Sequence, residues 1–370
     1  MKSGRRRFIV GSGGLVAAVA AAVVDAPNVI AQPKIEWRMS TTWTPKLDML
    51  QGSAQLLASV VERTSGGRLR IEVFPGGQIM QDFECFEAAS KGNIQAFMGA
   101  PYYWVQRDPA FDWFSTVPFG MNPEGMLSWY HHGDGLKLWE EAYAPFNLVP
   151  RPGPAIAPQM AGWFRRKINT IGDFKGLRMR IPGLGGKVVT KVGGTTVLTP
   201  AANIFASLER GVIDASEFIG PHDDMKLGLH TTARYYYYPG WHEPGTVTEF
   251  SFNRKAYDAL PADLRWALDY ATATVQIIGL TDFHTKNAIA LERLRSEFKS
   301  KVEVVQLPGP VLRDLRKASR DVIRGGIGED AHGPQGAGLV HEVPDTGGAV
   351  GPRLGRRVPP AHRRVRPLVA

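Results

Sequence analysis

The chain has 370 residues, a single cysteine and a formal charge of +9. The lone Cys85 excludes an intrachain disulfide framework or a multi-cysteine metal site and reads as a buried apolar residue. Nor does the charge mark a nucleic-acid binder: Lys2 and Arg5 to Arg7 supply about +4 and the stretch after Arg324 about +2, leaving only about +3 for the body.

At the start, Arg5-Arg6-Arg7-Phe8-Ile9 followed by a small apolar run to Val24 reads as a twin-arginine (Tat) export signal. The small-residue site Val29-Ile30-Ala31 places cleavage before Gln32. Gly11, Ser12, Gly13 and Gly14 interrupt that run, which falls short of the roughly 20 apolar residues of a membrane span. The expected product is soluble and periplasmic. Between signal and tail lie about 290 residues, enough for two cores.

Ile35, Trp37 and Met39 alternate with polar residues as a strand, and Leu47, Leu50, Ala54, Leu57 and Val61 recur at helical spacing. Leu69, Ile71 and Val73 then form a second strand, closed by Pro75-Gly76-Gly77. This βαβ order predicts an α/β fold with a parallel sheet. A helix over 82–91 and a strand near 96–99 continue it. A second βα series is expected with strands at 159–165, 177–181, 212–218 and 234–238 and helices at 187–192, 204–210 and 223–230. Pro261, a favoured first helical residue, opens a proline-free stretch to Phe298, long enough to run along both lobes. A strand at 302–305 and a helix at 311–323 follow. From Gly325 the composition changes to Gly, Pro, Arg and Val without apolar period, which cannot build a core and reads as an aberrant, frameshifted end.

Four groups of residues carry a family likeness: Lys91-Gly92-Asn93 ahead of Met98-Gly99, Ala100 to Trp104, Met179-Arg180-Ile181-Pro182-Gly183, and Tyr236 to Gly245. With them, residues 33–323 resemble the extracytoplasmic solute receptors of TRAP transporters, the DctP-type family, in its 2-oxo-acid, lactate and mannitol/chloroaromatic branch. The resemblance implies a two-lobed α/β periplasmic binding fold with a ligand cleft, closing on a small organic acid anion and delivering it to TRAP membrane subunits. The expected division is a signal at 1–31, lobe I at 32–157 plus 246–290, lobe II at 158–245, a C-terminal strand and helix at 291–324, and the tail at 325–370. Members of the branch can form homodimers through C-terminal helices.

Relatives hold the substrate carboxylate with an arginine at the position of Arg180. That residue ends a predicted strand, where open α/β sheets place ligands, and a guanidinium offers the fork a carboxylate accepts. Glu217 and the backbone carbonyl of Phe218 fall where relatives hold a cation; they usually have tryptophan at the second place. Glu243 is expected to join them, since acids facing an anion site need a cation, sodium or calcium, to offset repulsion. Gln159 resembles an amide bridging substrate and cation, Tyr103 and Trp241 an aromatic lining, and Trp43 a rim residue. Packing remains the alternative for Gln159, Tyr103 and Trp241.

Gly183 to Lys187 lacks Walker spacing and reads as a strand-to-helix turn. The adjacent pairs His131-His132 and His242-Glu243 are not expected to converge on a metal. No catalytic residues are expected. The alternatives are a periplasmic organic-acid enzyme using Glu217 or Glu243 as base, and an ABC-type carboxylate-binding protein.

Overall fold

In the computed structural model, which describes residues 34–327, β1 (Ile35–Thr41) leads through the helix Asp48–Thr64 to β2 (Leu69–Phe74), which pairs in parallel with β1. The expected export signal, and the tail from residue 328 onward, lie outside the described residues. Leu50, Ala54, Leu57 and Val61 are all buried on that helix, so its predicted stripe is its core face. Strand β3 (Ala96–Gly99) joins β1, and β4 (Leu148–Ile156) closes the first half of the chain. Then come β5 (Gly162–Phe164), β6 (Arg178–Arg180), β7 (Thr195–Val197), β8 (Ala215–Ser216) and β9 (Tyr235–Tyr238). Strand β10 (Thr246–Asn253) returns to the first group, and β11 (Glu303–Gln306) to the second.

Two sheets result, with orders β2-β1-β3-β10-β4 and β11-β9-β5-β8-β6-β7. Neither is purely parallel, contrary to the expectation from the βαβ order: β10 runs antiparallel to β3 and β4, and β5 antiparallel to β8 and β9. Both reversed strands lie directly after a connection between the sheets, so each enters its sheet from the opposite end. Strand β4 escaped the sequence reading because Pro150, Pro152 and Pro154 argue against a strand interior. It is an edge strand, where a missing N–H costs no ladder bond.

Helix Ala262–Ser296 packs on β4 and on helix Asp48–Thr64, and further along on helix Pro221–Lys226 and β11, so it runs along both sheets' groups. Pro261 is its N-cap rather than its first helical residue. Strand β11 pairs with β9, and helix Gly309–Ile327 packs on helix Gly183–Lys191, which joins the C-terminal elements to the second lobe. Helical backbone therefore continues through Gly325 and Gly326, where the tail was expected to begin. Cys85 is buried, as read from the sequence. Among the described residues no helix is long and apolar enough to cross a membrane.

Candidate functional site

Two of the connections between the sheets meet. The segment 157–161 runs from β4 to β5, the segment 239–245 from β9 to β10, and the Gln159 N–H donates to the Glu243 carbonyl across them (3.2 Å). Gly240 allows this approach, since a Cβ there would collide with the Gln159 carbonyl oxygen. Arg180 ends β6, and Glu217 follows β8, its parallel neighbour. Their side chains thus emerge at carboxyl ends of adjacent strands, where open α/β sheets place ligands. Gly162 lets β5 close on β8: a Cβ would sit 2.7 Å from the Ser216 carbonyl oxygen.

Arg180 and Glu217 are 2% and 1% exposed. Arg180 Nη1 donates to Glu217 Oε1 and, at 3.4 Å, to its carbonyl oxygen, while Nε donates to the Thr199 carbonyl at 3.3 Å. The guanidinium also lies 5.4 Å from the centroid of the Phe218 ring, within cation–π range. Glu243 Oε2 accepts from Gln159 Nε2 and Thr246 Oγ1, each at 2.6 Å. His242 Nε2 lies 3.4 Å from Glu217 Oε2. Glu217, His242 and Glu243 each offer a ligand atom within 4.8 Å of the other two.

Burial pushes the Glu217 carboxyl up to about 7 against the pull of Arg180. Burial, reinforced by the charge of Glu217, brings Glu243 to about 7 as well. Burial lowers His242 to about 4, so its imidazole is neutral at neutral pH. Desolvation is the largest single influence on Arg180 and opposes its charge, but Glu217, Tyr103, Tyr102 and Glu243 together outweigh it and hold the guanidinium protonated. One fixed cation thus faces two acids that take up protons near neutrality, an arrangement a metal cation can replace proton for charge. Two carboxylates supply the oxygen ligands that sodium or calcium prefers. Gln159 Oε1 and His242 Nδ1 are buried without a hydrogen-bond partner in the protein, and buried polar atoms of this kind call for one.

A small cavity opens beside this cluster, lined by Trp43, Tyr102, Tyr103, Gln159, Arg180, Phe218 and aliphatic neighbours. The space left to a water centre is about 10 Å³, at the ~10–15 Å³ that one enclosed water needs. Anything larger enters only if side chains or lobes move apart.

Of the residues singled out from sequence, Gln159, Arg180, Tyr103 and Phe218 line the cavity, and Glu217 and Glu243 stand together beside it. Trp241 does not: it is buried in the second lobe's core, stacked on Phe119 at 5.9 Å. Phe218 was expected to offer only its carbonyl, yet its ring forms part of the wall. Trp43 is buried wall rather than rim. Two residues were missed. Tyr102, inside the Ala100 to Trp104 motif, lines the cavity beside Tyr103. His242 was set aside because sequence neighbours rarely converge on one ion; in the irregular turn after β9, both His242 and Glu243 face inward.

Residues 39–327 match the bacterial extracellular solute-binding protein, family 7 (DctP). The chain is 34% identical, over 81% of each sequence, to the monocarboxylate 2-oxoacid-binding periplasmic protein of Nostoc sp.. It is similar to the structure of a TRAP periplasmic solute-binding protein from Pseudoalteromonas atlantica with bound sodium and pyruvate: 36% identity, 80% of this chain and 89% of that one, TM-score 0.77. A TRAP transporter solute-binding protein from Bordetella bronchiseptica, a mixed-occupancy dimer with calcium and picolinate in one site, matches at 33% identity over 80% and 87% of the two chains, TM-score 0.77.

Proposed function

The chain belongs to bacterial extracellular solute-binding protein family 7, and from that premise we propose that it is the periplasmic receptor of a TRAP transporter, capturing a small 2-oxo or 2-hydroxy monocarboxylate together with sodium or calcium. The observation that carries this reading is the fully buried Arg180 beside the Glu217 and Glu243 carboxylates in a cavity where two inter-sheet connections meet. Pyruvate with sodium, and picolinate with calcium, in the two similar structures fit the same chemistry.

In this reading the ion pair is an exchange device. Arg180 binds Glu217 in the described state; a cation taken by Glu217 and Glu243 frees the guanidinium fork, which then grips the ligand carboxylate. Gln159 Oε1 lies free to meet the cation, and Tyr102, Tyr103, Trp43 and the Phe218 ring enclose the ligand's apolar end. Lobes 32–157 plus 246–290 and 158–245 close over it, and the loaded receptor delivers it to the TRAP membrane subunits. Export through Tat rests on Arg5-Arg6, and replacing both by lysine is expected to retain the precursor in the cytoplasm on cell fractionation. Exposed Trp266, Tyr270, Ile277 and Ile278 on the long helix give two chains an apolar surface for pairing, which light scattering tests.

Calorimetry with pyruvate, with and without sodium or calcium, tests the central proposal: binding is expected to be stoichiometric and strengthened by cation. A receptor returns its ligand unchanged, so steady loss of pyruvate in a time course would instead mark an enzyme.

A further inference from the structure

A second cluster of ligating side chains lies away from the cavity, where the two lobes meet beside the long helix. Asp48 opens helix Asp48–Thr64 of the first lobe, and His222 and Asp223 lie in the first turn of helix Pro221–Lys226 of the second. His222 Nε2 is 2.9 Å from Asp48 Oδ1, and the His222 N–H donates to Asn287 Oδ1 on the long helix at 3.1 Å. We propose that Asp48, His222 and Asp223 form an inter-lobe site for a divalent cation of the zinc class, distinct from the Glu217 cluster. Each of the three offers a ligand atom within 4.8 Å of the other two.

The independent observation is Asp223 itself. It is 0% exposed, and neither carboxylate oxygen has a hydrogen-bond partner. Its neighbour Asp224 shows what a satisfied buried acid looks like in this place. It accepts from the Trp163 Nε1–H at 2.9 Å, the Tyr236 hydroxyl at 2.8 Å and the backbone N–H groups of Ile219 and Gly220 at 3.2 and 3.3 Å. Leaving a buried acceptor unpaired is costly, and a cation coordinated between Asp223, Asp48 and His222 removes that cost.

The donor set admits zinc. One imidazole with two carboxylates suits zinc, which takes nitrogen and oxygen ligands and completes four-coordination with water. The same donor set stands at Glu217, His242 and Glu243, but there Arg180 already pairs Glu217, whereas Asp223 has no hydrogen-bond partner. Asp48 and His222 have side chains 41% and 20% exposed, so the site is reachable from solvent. Lys286 at 3.3 Å and Lys226 at 3.8 Å compete for Asp48. Lys286 also reaches Asp282 at 2.7 Å, which retains that ammonium when Asp48 turns to a metal.

The test uses the full chain, stripped with chelator and titrated with zinc chloride alone. Calorimetry is expected to show one zinc per chain, weakened at least about tenfold by His222→Ala and by Asp223→Asn and unchanged by Glu217→Gln. Zinc-edge anomalous scattering should place the ion about 2.0–2.2 Å from the three side chains. Circular dichroism and retained pyruvate binding check that the variants fold, and His222→Ala, at a partly exposed position, carries the test if Asp223→Asn does not. No zinc binding by the native chain, native affinity for zinc in both folded variants, or an anomalous peak only at Glu217 and Glu243 overturns the proposal.

Discussion

Arg178 and Arg180 stand two residues apart on β6, on the same face, and each is paired with a carboxylate. Arg178 makes the better-formed pair: Nε and Nη2 donate to the two oxygens of Asp214 at 2.9 and 2.8 Å. Its side chain is half exposed, however, and water competes for every bond it makes. Arg180 uses one nitrogen toward Glu217 and sits in almost complete burial. Removing one member of a buried pair strands the other charge, whereas removing one from a solvated pair strands nothing. Burial, rather than the number of bonds, separates a surface arginine from one suited to hold a buried anion.

The largest test of that contrast is Arg180→Ala, which is expected to weaken pyruvate binding by about 2–5 kcal/mol, or roughly 30- to 5,000-fold. Calorimetry within twofold of the native affinity would put the ligand somewhere else. Glu217→Gln keeps the shape of the pair and removes its charge. We expect roughly tenfold weaker pyruvate binding, partly restored by raising sodium or calcium, because cation and ligand are linked. If added cation leaves the affinity of native and variant protein untouched, the exchange between Arg180 and cation does not occur.

Glu249 sharpens the comparison as a buried acid with no arginine. It accepts from the Ser251 hydroxyl and from Tyr143 at 3.3 Å, and burial pushes its carboxyl up to about 8 from an ordinary 4.5. Between those values the folded chain holds a proton that the unfolded chain has released. This group's stabilising contribution is therefore present below about pH 4.5 and is lost as pH rises through about 8. Melting curves should show the fall, and Glu249→Gln should flatten it; parallel pH profiles for the two proteins would sink the assignment. The smallest effect belongs to Arg178→Ala, for which we expect unchanged pyruvate affinity and a melting temperature close to native. A large loss in either would mean that exposure does not discount the Asp214 pair.

Much of the fold could be read where one face of an element is buried and the other wet. The helix after β1 declares itself through Leu50, Ala54, Leu57 and Val61 because its other side is polar. Strand β10 does not, since all eight of its residues are buried, with Glu249 and Ser251 satisfied inside the protein. Helices Pro123–His132 and Gly135–Tyr143 also escaped the sequence reading, the first because its period is weak, the second although Gly135, Trp139 and Tyr143 line its buried face at every fourth residue. At the site, Arg180, Glu217, Glu243 and Gln159 were reached through family likeness joined to the rule about strand ends. His242 and Tyr102 were not, because their inward orientation depends on irregular backbone that carries no period. Trp241 shows the converse: an aromatic beside site residues in sequence can belong to the core behind them.

The long helix Ala262–Ser296 has a consequence beyond holding the lobes side by side. Its 35 residues make a rod about 50 Å long at 1.5 Å per residue, gripped at one end by β4 and at the other by helix Pro221–Lys226 and β11. Neither lobe can melt while leaving that rod fully packed, because each supplies part of the apolar cover for one continuous hydrogen-bond ladder. Denaturation is therefore shared: the two lobes are expected to unfold in one calorimetric transition, despite having separate sheets, and the helix sets the size of the cooperative unit.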